Sequence, residues 1–145
     1  MIRKMKREDA QCVIDMMRDF YTSDAVHTNG SEEIFRRNVE NCLGDFPYAE
    51  GYVFEDDGKV FGYSLLATGY VSEFAKPCIW IEDLYLQPEY RGKGIGRHFF
   101  SFLEAQYPGW AFRLESEPEN EPAVHLYRSC GFKDFPYMEL IKGGL

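Results

Sequence analysis

The segment Glu82-Asp83-Leu84-Tyr85-Leu86-Gln87-Pro88-Glu89-Tyr90-Arg91-Gly92-Lys93-Gly94-Ile95-Gly96-Arg97 constrains this chain more than any other. An apolar strand pattern runs into a turn with glycines at alternate positions. It continues straight into Ile95, Phe99, Phe102 and Leu103, spaced for an amphipathic helix. Glycines let main-chain N–H groups crowd together without Cβ atoms in the way, here at the positive end of a helix dipole. That is a cradle for an anion, with phosphate or pyrophosphate its natural occupant. Arg91, Lys93 and Arg97 add positive charge around it. The P-loop pattern occurs nowhere, and a dinucleotide fingerprint fails because position 99 is Phe where its third glycine would stand. A plain flexible turn ahead of a helix is the alternative, so the glycines alone leave the ligand open.

The rest of the chain alternates between two periodicities. Val13, Met16, Met17, Phe20 and Tyr21 predict a helix over 9–21, followed by a polar loop over 22–30. Ser31 is placed to cap a second helix, with Glu32 and Glu33 in its first turn and Ile34, Phe35, Val39, Cys42 and Leu43 as its stripe. Strand runs over 51–55 and 60–70 flank Asp56-Asp57-Gly58-Lys59, a hairpin signal. A third run over 78–86 follows Pro77 and is stopped by Pro88. A helix over 95–106 ends at Pro108-Gly109, and 110–116 reads as a strand. A last helix over 120–130 has Pro122 near its first turn and Gly131 just past its end. Ile2 marks a short first strand, and 132–141, interrupted at Pro136, is expected to close the chain as one or two strands. Hairpin and crossover connections together predict an α/β fold of the α+β type, a mixed sheet covered by helices. At 145 residues, one domain over 1–145 is expected.

Composition narrows the function. Apolar residues at 45% and aromatics at 17% supply a packed interior and exclude global disorder. Apolar runs fall far short of the roughly 20 residues of a membrane span, so no membrane partner is expected. A net charge of −8, from 16 basic and 24 acidic residues, argues against nucleic acid. The acidic balance suits a cationic small substrate, although ordinary solubility explains it as well. Cys12, Cys42, Cys78 and Cys130 are widely spaced, with no C-x-x-C and no histidine at metal spacing. Reduced thiols and no zinc are expected. Met1-Ile2-Arg3-Lys4-Met5-Lys6-Arg7 leads into Glu8-Asp9 without an apolar signal core, so a cytoplasmic location is expected.

Two motifs stand in register. Arg91-Gly92-Lys93-Gly94-Ile95-Gly96 follows the pattern Arg or Gln, two residues, Gly, one residue, Gly or Ala. Asn120-Glu121-Pro122-Ala123-Val124-His125-Leu126-Tyr127-Arg128-Ser129-Cys130-Gly131-Phe132 carries Asn, Ala, Tyr, Gly and Phe at the spacing of a second motif of the same group. With these, the chain resembles the GNAT superfamily of N-acetyltransferases over its whole length. The resemblance implies the GNAT fold, a single mixed, mostly antiparallel sheet flanked by about four helices. It implies acetyl-CoA as co-substrate and no metal. Amides of Gly92, Lys93, Gly94, Ile95, Gly96 and Arg97, beside Arg91, would hold the pyrophosphate. Main-chain groups of Leu84, Tyr85 and Leu86 would pair with the pantetheine arm as an added strand. Asn120 would be a further contact to the arm. A homodimer is also implied, with the stretch Phe135, Pro136, Tyr137 and Met138 a plausible contact.

Acetyl transfer from a thioester to an amine requires an ammonium of pKa near ~10 to lose its proton. The carbonyl oxygen must be stabilised and the departing thiolate protonated. Glu82 is the candidate base. Strict alternation puts Trp80, Glu82, Leu84 and Leu86 on one strand face, and apolar neighbours raise a carboxyl pKa. A solvated or ion-paired strand glutamate is the plainer reading, and similarity to polyamine acetyltransferases, with glutamate at this place, favours the base. Asp83 alternates to the other face and ranks below it. Tyr127 shares a helix face with Ala123, Leu126 and Cys130, as a core tyrosine would. The resemblance makes it the acid that protonates the CoA sulfur. His125 and Cys130 diverge by about 140° on a helix and do not form a nucleophile–base pair. His27 reads as a surface loop histidine, with a place in the acceptor pocket as the alternative.

The motifs are closest to the diamine and polyamine acetyltransferases, and Asp19, Asp24, Glu32, Glu33, Glu82 and Asp83 offer a field to a polyamine. The expected function is transfer of acetyl from acetyl-CoA to a primary amine of a small cationic substrate in a ternary complex. Residues 20–50 match no pattern of that group, so an amino acid, an aminoglycoside or a protein N-terminus stays open. So does a non-catalytic CoA-binding regulatory domain, which would have no use for both Glu82 and Tyr127.

Overall fold

The computed structural model describes residues 1–144. Strands β1 (Ile2–Lys4), β2 (Ala49–Asp56), β3 (Lys59–Val71), β4 (Lys76–Leu86) and β5 (Ala111–Leu114) form one sheet in that spatial order. Three pairings are antiparallel and β4–β5 is parallel, so the sheet is mixed and mostly antiparallel. The β2–β3 hairpin closes through Asp57 and Gly58, whose φ values of 51° and 78° give the two-residue turn that matches strand twist.

Four helices cover the two faces. α1 (Ala10–Tyr21) buries Val13, Ile14, Met16 and Met17. α2 (Glu32–Leu43) starts where the Ser31 hydroxyl accepts the Ile34 N–H at 3.2 Å, and it buries Phe35 and Val39. Both pack on Val53, Tyr63, Leu65 and Tyr85. α3 (Ile95–Gln106) buries Phe99, Phe100 and Leu103 against Phe54, Leu66, Ile79 and Ile81 on the opposite face. α4 (Glu121–Ser129) joins that side through Leu126 and Tyr127. Each large apolar side chain buried here stabilises by about 1.5–3 kcal/mol, so the sheet is clamped from both sides.

The register of β4 departs from simple alternation. Leu65 opposes Asp83 and Leu66 opposes Ile81, which leaves Glu82 without a partner on β3. This is a β-bulge, and an extra residue inverts the phase of everything beyond it. Ile79 and Ile81 face α3 before the bulge; Leu84 and Leu86 do so after it, while Tyr85 faces α1. The expected common face of Trp80, Glu82, Leu84 and Leu86 is therefore corrected. Trp80, opposite Ala67, lies on the α1 side.

The closing strands expected over 132–141 are absent among the described residues. Phe135 instead packs 5.1 Å from the Arg113 guanidinium and 6.3 Å from the Phe74 ring, and the Tyr137 hydroxyl donates to Glu73 at 2.9 Å. Pro136 has no N–H to give a ladder, so side-chain contacts set the path. Cys12, Cys42, Cys78 and Cys130 carry free thiols. Among the described residues no helix is long and apolar enough to cross a membrane.

Candidate active site

β5 accompanies β4 only from Cys78 opposite Ala111 to Ile81 opposite Leu114. Beyond that point β4 runs on through Leu86 with its outer edge unpaired. The Gln87 N–H donates to the Phe61 carbonyl at 2.8 Å, and the Tyr85 carbonyl abuts Gly62, so odd positions turn their main-chain groups to β3. By the two-residue period, those of Leu84 and Leu86 turn to the open edge. Arg91 Nε donates to the Leu86 carbonyl at 2.8 Å. The Leu84 groups and the Leu86 N–H are left facing outward. Tyr85, expected to share in that pairing, directs its carbonyl to β3 and sets its ring 5.4 Å from the Arg91 guanidinium.

From Leu86 the chain makes one 3₁₀ turn at Pro88–Tyr90 and enters α3 through Gly92 and Gly94, with φ of 73° and 81°. A Cβ on either glycine would meet nothing within 4 Å, so backbone direction, not crowding, requires them. The N–H groups of Ile95, Gly96 and Arg97 fall in the first helical turn, where no intrahelical acceptor exists. The Arg97 guanidinium is engaged elsewhere, donating to the Ser129 hydroxyl at 2.6 Å, while Lys93 lies 5.8 Å from the Tyr90 ring. Gln87 Oε1 is buried and without a hydrogen-bond partner among the described residues. An open cradle of donors, an unpaired strand edge and an unanswered acceptor fit a pyrophosphate attached to an amide-bearing arm, and so fit CoA.

Glu82 sits on the bulge, reached by solvent, yet the protein around it raises its pKa, and the Glu139 carboxylate raises it further. Asp83 points into the sheet's α1 face. Its Oδ2 accepts the Tyr63 hydroxyl at 2.8 Å and its Oδ1 the Tyr21 hydroxyl at 3.0 Å. Burial pushes the Asp83 pKa up to about 6, against the pull of these two donors.

Glu115 and Glu139 complete the acidic group, and sequence reasoning singles out neither. The neighbouring Glu139 carboxyl, burial and the charge of Glu82 push the Glu115 pKa to about 7. Nothing in their spacing links them to Glu82; the one signal in the chain is an acid just beyond a strand end. They border a cleft of about 1210 Å³ that also meets Phe74, Trp80, Phe135, Tyr137 and Tyr127.

Tyr127 is half-buried on α4, its ring 5.8 Å from Phe100 and 6.2 Å from Phe132. Burial raises its pKa, which keeps the proton on oxygen. Asn120 stands at the N-cap of α4, where its carbonyl accepts the Val124 N–H at 3.0 Å and its side chain makes no capping bond. His27 meets Glu117, tying the loop ahead of α2 to the loop ahead of α4. His125 is exposed and Cys130 packs in the core, so the two are not brought together as a reactive pair.

A parallel pair that ends at Ile81–Leu114, a glycine turn at a helix start and a helix carrying Tyr127 are features suited to an acyl-CoA-dependent transferase. The profile of the Acetyltransferase (GNAT) family matches residues 13–132, and the chain belongs to that family of N-acetyltransferases. The thialysine N-epsilon-acetyltransferase of Sus scrofa is 30% identical over 152 residues, spanning 96% of this chain and 87% of the relative. A possible acetyltransferase from Clostridium difficile 630 has a TM-score of 0.84 at 19% identity, covering 100% of this chain and 97% of the other. An aminoglycoside N-acetyltransferase in complex with CoA has a TM-score of 0.80 at 14% identity, covering 98% and 93%.

Proposed function

We propose that this chain transfers the acetyl group of acetyl-CoA directly to a primary amine of a small cationic acceptor of polyamine type, both substrates being bound together. The observation that carries the reading is the meeting of Glu82, Glu115 and Glu139 at the end of the open β4 edge. Acetyl-CoA supplies an activated thioester. The edge groups of Leu84 and Leu86 bind its arm, with Asn120 as a further contact. The amides of Gly92, Lys93, Gly94, Ile95, Gly96 and Arg97 bind its diphosphate beside Arg91. Holding amine and thioester together lowers the barrier by on the order of 7 kcal/mol or more at best.

Glu82 takes the ammonium proton, directly or through water. Its pKa lies above the ordinary glutamate value, which narrows the gap to an ammonium near ~10. Tyr127, kept protonated by burial, gives its proton to the departing sulfur. Glu115 and Glu139 hold a second cation of the acceptor at the border of the cleft, where the Arg113 guanidinium already covers Trp80 and Phe135. The relatives named for thialysine and for aminoglycosides support an amine acceptor. Exposed Phe135, Tyr137, Met138, Leu140 and Ile141 support the pairing of two copies through the C-terminal segment.

The test is an acceptor screen with acetyl-CoA against polyamines, amino acids, aminoglycosides and an N-terminal peptide, read as released thiol and product mass. An acetylated polyamine at the highest kcat/KM is expected. Transfer to the peptide alone, or CoA binding with no transfer to any amine, overturns the reading.

A further inference from the structure

The bulge that turns Glu82 out of the ladder has an alternative position one residue later. Leu65 would then oppose Glu82, and Asp83 would become the unpaired residue. Residues 76–81 and 84–86 keep their partners in either register. The difference lies in which of two neighbouring carboxylates is paired opposite Leu65, at the socket on the α1 face.

That face holds a socket for one carboxylate. Tyr63 offers its hydroxyl from β3 at 2.8 Å and Tyr21 offers its own from the last turn of α1 at 3.0 Å. The Ser64 hydroxyl donates to the Asp83 carbonyl at 2.8 Å. Asp83 fills the socket with only 2% of its surface exposed. No cation reaches it among the described residues, whereas Asp9, also buried, is gripped by Arg3 at 2.8 Å. A carboxylate buried among phenols without a counter-charge costs free energy that an amide or an apolar side chain would not. Such a group is best understood as choosing one arrangement over its neighbour.

We infer that Asp83 is a positioning residue that occupies the Tyr21–Tyr63 socket and thereby keeps Glu82 on the open edge. Without a side chain at residue 83 that fills the socket, the bulge moves by one residue and Glu82 drops into the same pair of hydroxyls, turned away from the acceptor. The inference rests on Glu82 being the base.

The test uses Asp83→Ala, Asp83→Asn and Tyr21→Phe, each alone and combined with Glu82→Gln. CoA affinity, read by calorimetry, is expected to stay within about twofold throughout, because residues 84–86 do not change register. Asp83→Ala is expected to lower kcat about 100-fold, the scale of a misplaced catalytic group. Asp83→Asn fills the socket with a side chain of the same shape and is expected to keep kcat within about threefold. Glu82→Gln adds almost nothing to the loss in Asp83→Ala, since a captured base and a missing base are equivalent. Where Asp83→Ala fails to fold, Tyr21→Phe carries the test, with a tenfold loss that is again non-additive with Glu82→Gln. The register itself is read by cross-strand contacts of Leu65 in solution NMR, to position 83 in the parent and to Glu82 in Asp83→Ala. Losses that multiply, an Asp83→Asn variant as slow as Asp83→Ala, or an unmoved Leu65 contact overturn the inference. A parent chain that binds no CoA sinks the functional reading instead, and the Leu65 contact still decides the lock.

Discussion

Gly96 on α3 and Leu126 on α4 touch so closely that a Cβ on residue 96 would lie 2.7 Å from Leu126 Cδ2. The same contact joins the helix whose first turn lines the cradle to the helix that carries Tyr127. It therefore sets the spacing between the anion-binding end of the site and the phenol. Alanine here adds one methyl against a mobile Leu tip and regains helix propensity of up to about 1 kcal/mol, so its net effect is small. Valine cannot turn its branches away. Gly96→Val is expected to destabilise by about 2 kcal/mol, measured by urea denaturation, and to lower kcat as α4 shifts.

Glu82→Gln is expected to lower kcat/KM at neutral pH by about 10²–10⁴-fold. Glu82 works in its ionised form and its pKa is raised, so the parent rate falls as pH drops through that raised value. In the variant this acidic limb disappears and the optimum moves upward, toward the pKa of the free amine. A pH–rate profile of unchanged shape would remove Glu82 from the mechanism.

Tyr127→Phe is expected to lower kcat at least about tenfold while acetyl-CoA affinity falls less. The ring contacts with Phe100 and Phe132 survive the change, so packing does not account for the loss. Equal losses in kcat and affinity would mean the tyrosine binds or packs and gives no proton.

Asp83 makes stability depend on pH in the opposite sense to most carboxylates. Its folded pKa of about 6 lies above the ordinary 3.8, so the folded chain binds more protons than the unfolded one between these values. Stability attributable to Asp83 is thus present at low pH and lost as pH rises from about 4 to about 6. Asp83→Asn removes that slope and is expected to gain about 2–3 kcal/mol over the parent at pH 7.5, and much less at pH 4. Denaturant melts at the two pH values measure the difference.

Glu115 and Glu139 lie side by side, and Glu139, burial and Glu82 raise the Glu115 pKa to about 7. As pH rises through 7 the pair gains negative charge. KM for a dicationic acceptor is expected to fall between pH 6 and pH 8 by more than the ionisation of the amine explains, while KM for a monoamine does not. Glu115→Gln with Glu139→Gln should abolish the difference between the two acceptors.

Local chemistry makes much of this molecule legible in its residue order. Asp57-Gly58 can form its turn with neighbours of almost any kind, because positive φ at both positions is a property of the dipeptide. Ser31 caps α2 through a bond three residues away, and Gly92 and Gly94 take left-handed φ at the entrance to α3, each visible in the order of residues. The bulge at Glu82 is invisible there for the opposite reason. It lies beside Asp83, whose carboxylate accepts hydroxyls from Tyr21 and Tyr63, brought in from distant parts of the chain. Phe132 to Ile141 has the composition of a strand, but Arg113 and Phe74 hold Phe135 off the ladder.

The amino-acid order by itself determined where the five strands, the four helices and the hairpin turn lie, and where glycines open the entrance to α3. Such features rest on periodicity, caps and φ preferences that act over a few residues. Tertiary structure alone decided which way Glu82 points, that Glu115 and Glu139 join it, and that β4 keeps an open edge. Those outcomes depend on a one-residue register and on charges brought together by the sheet, and pairwise contacts between distant segments leave no local pattern to read.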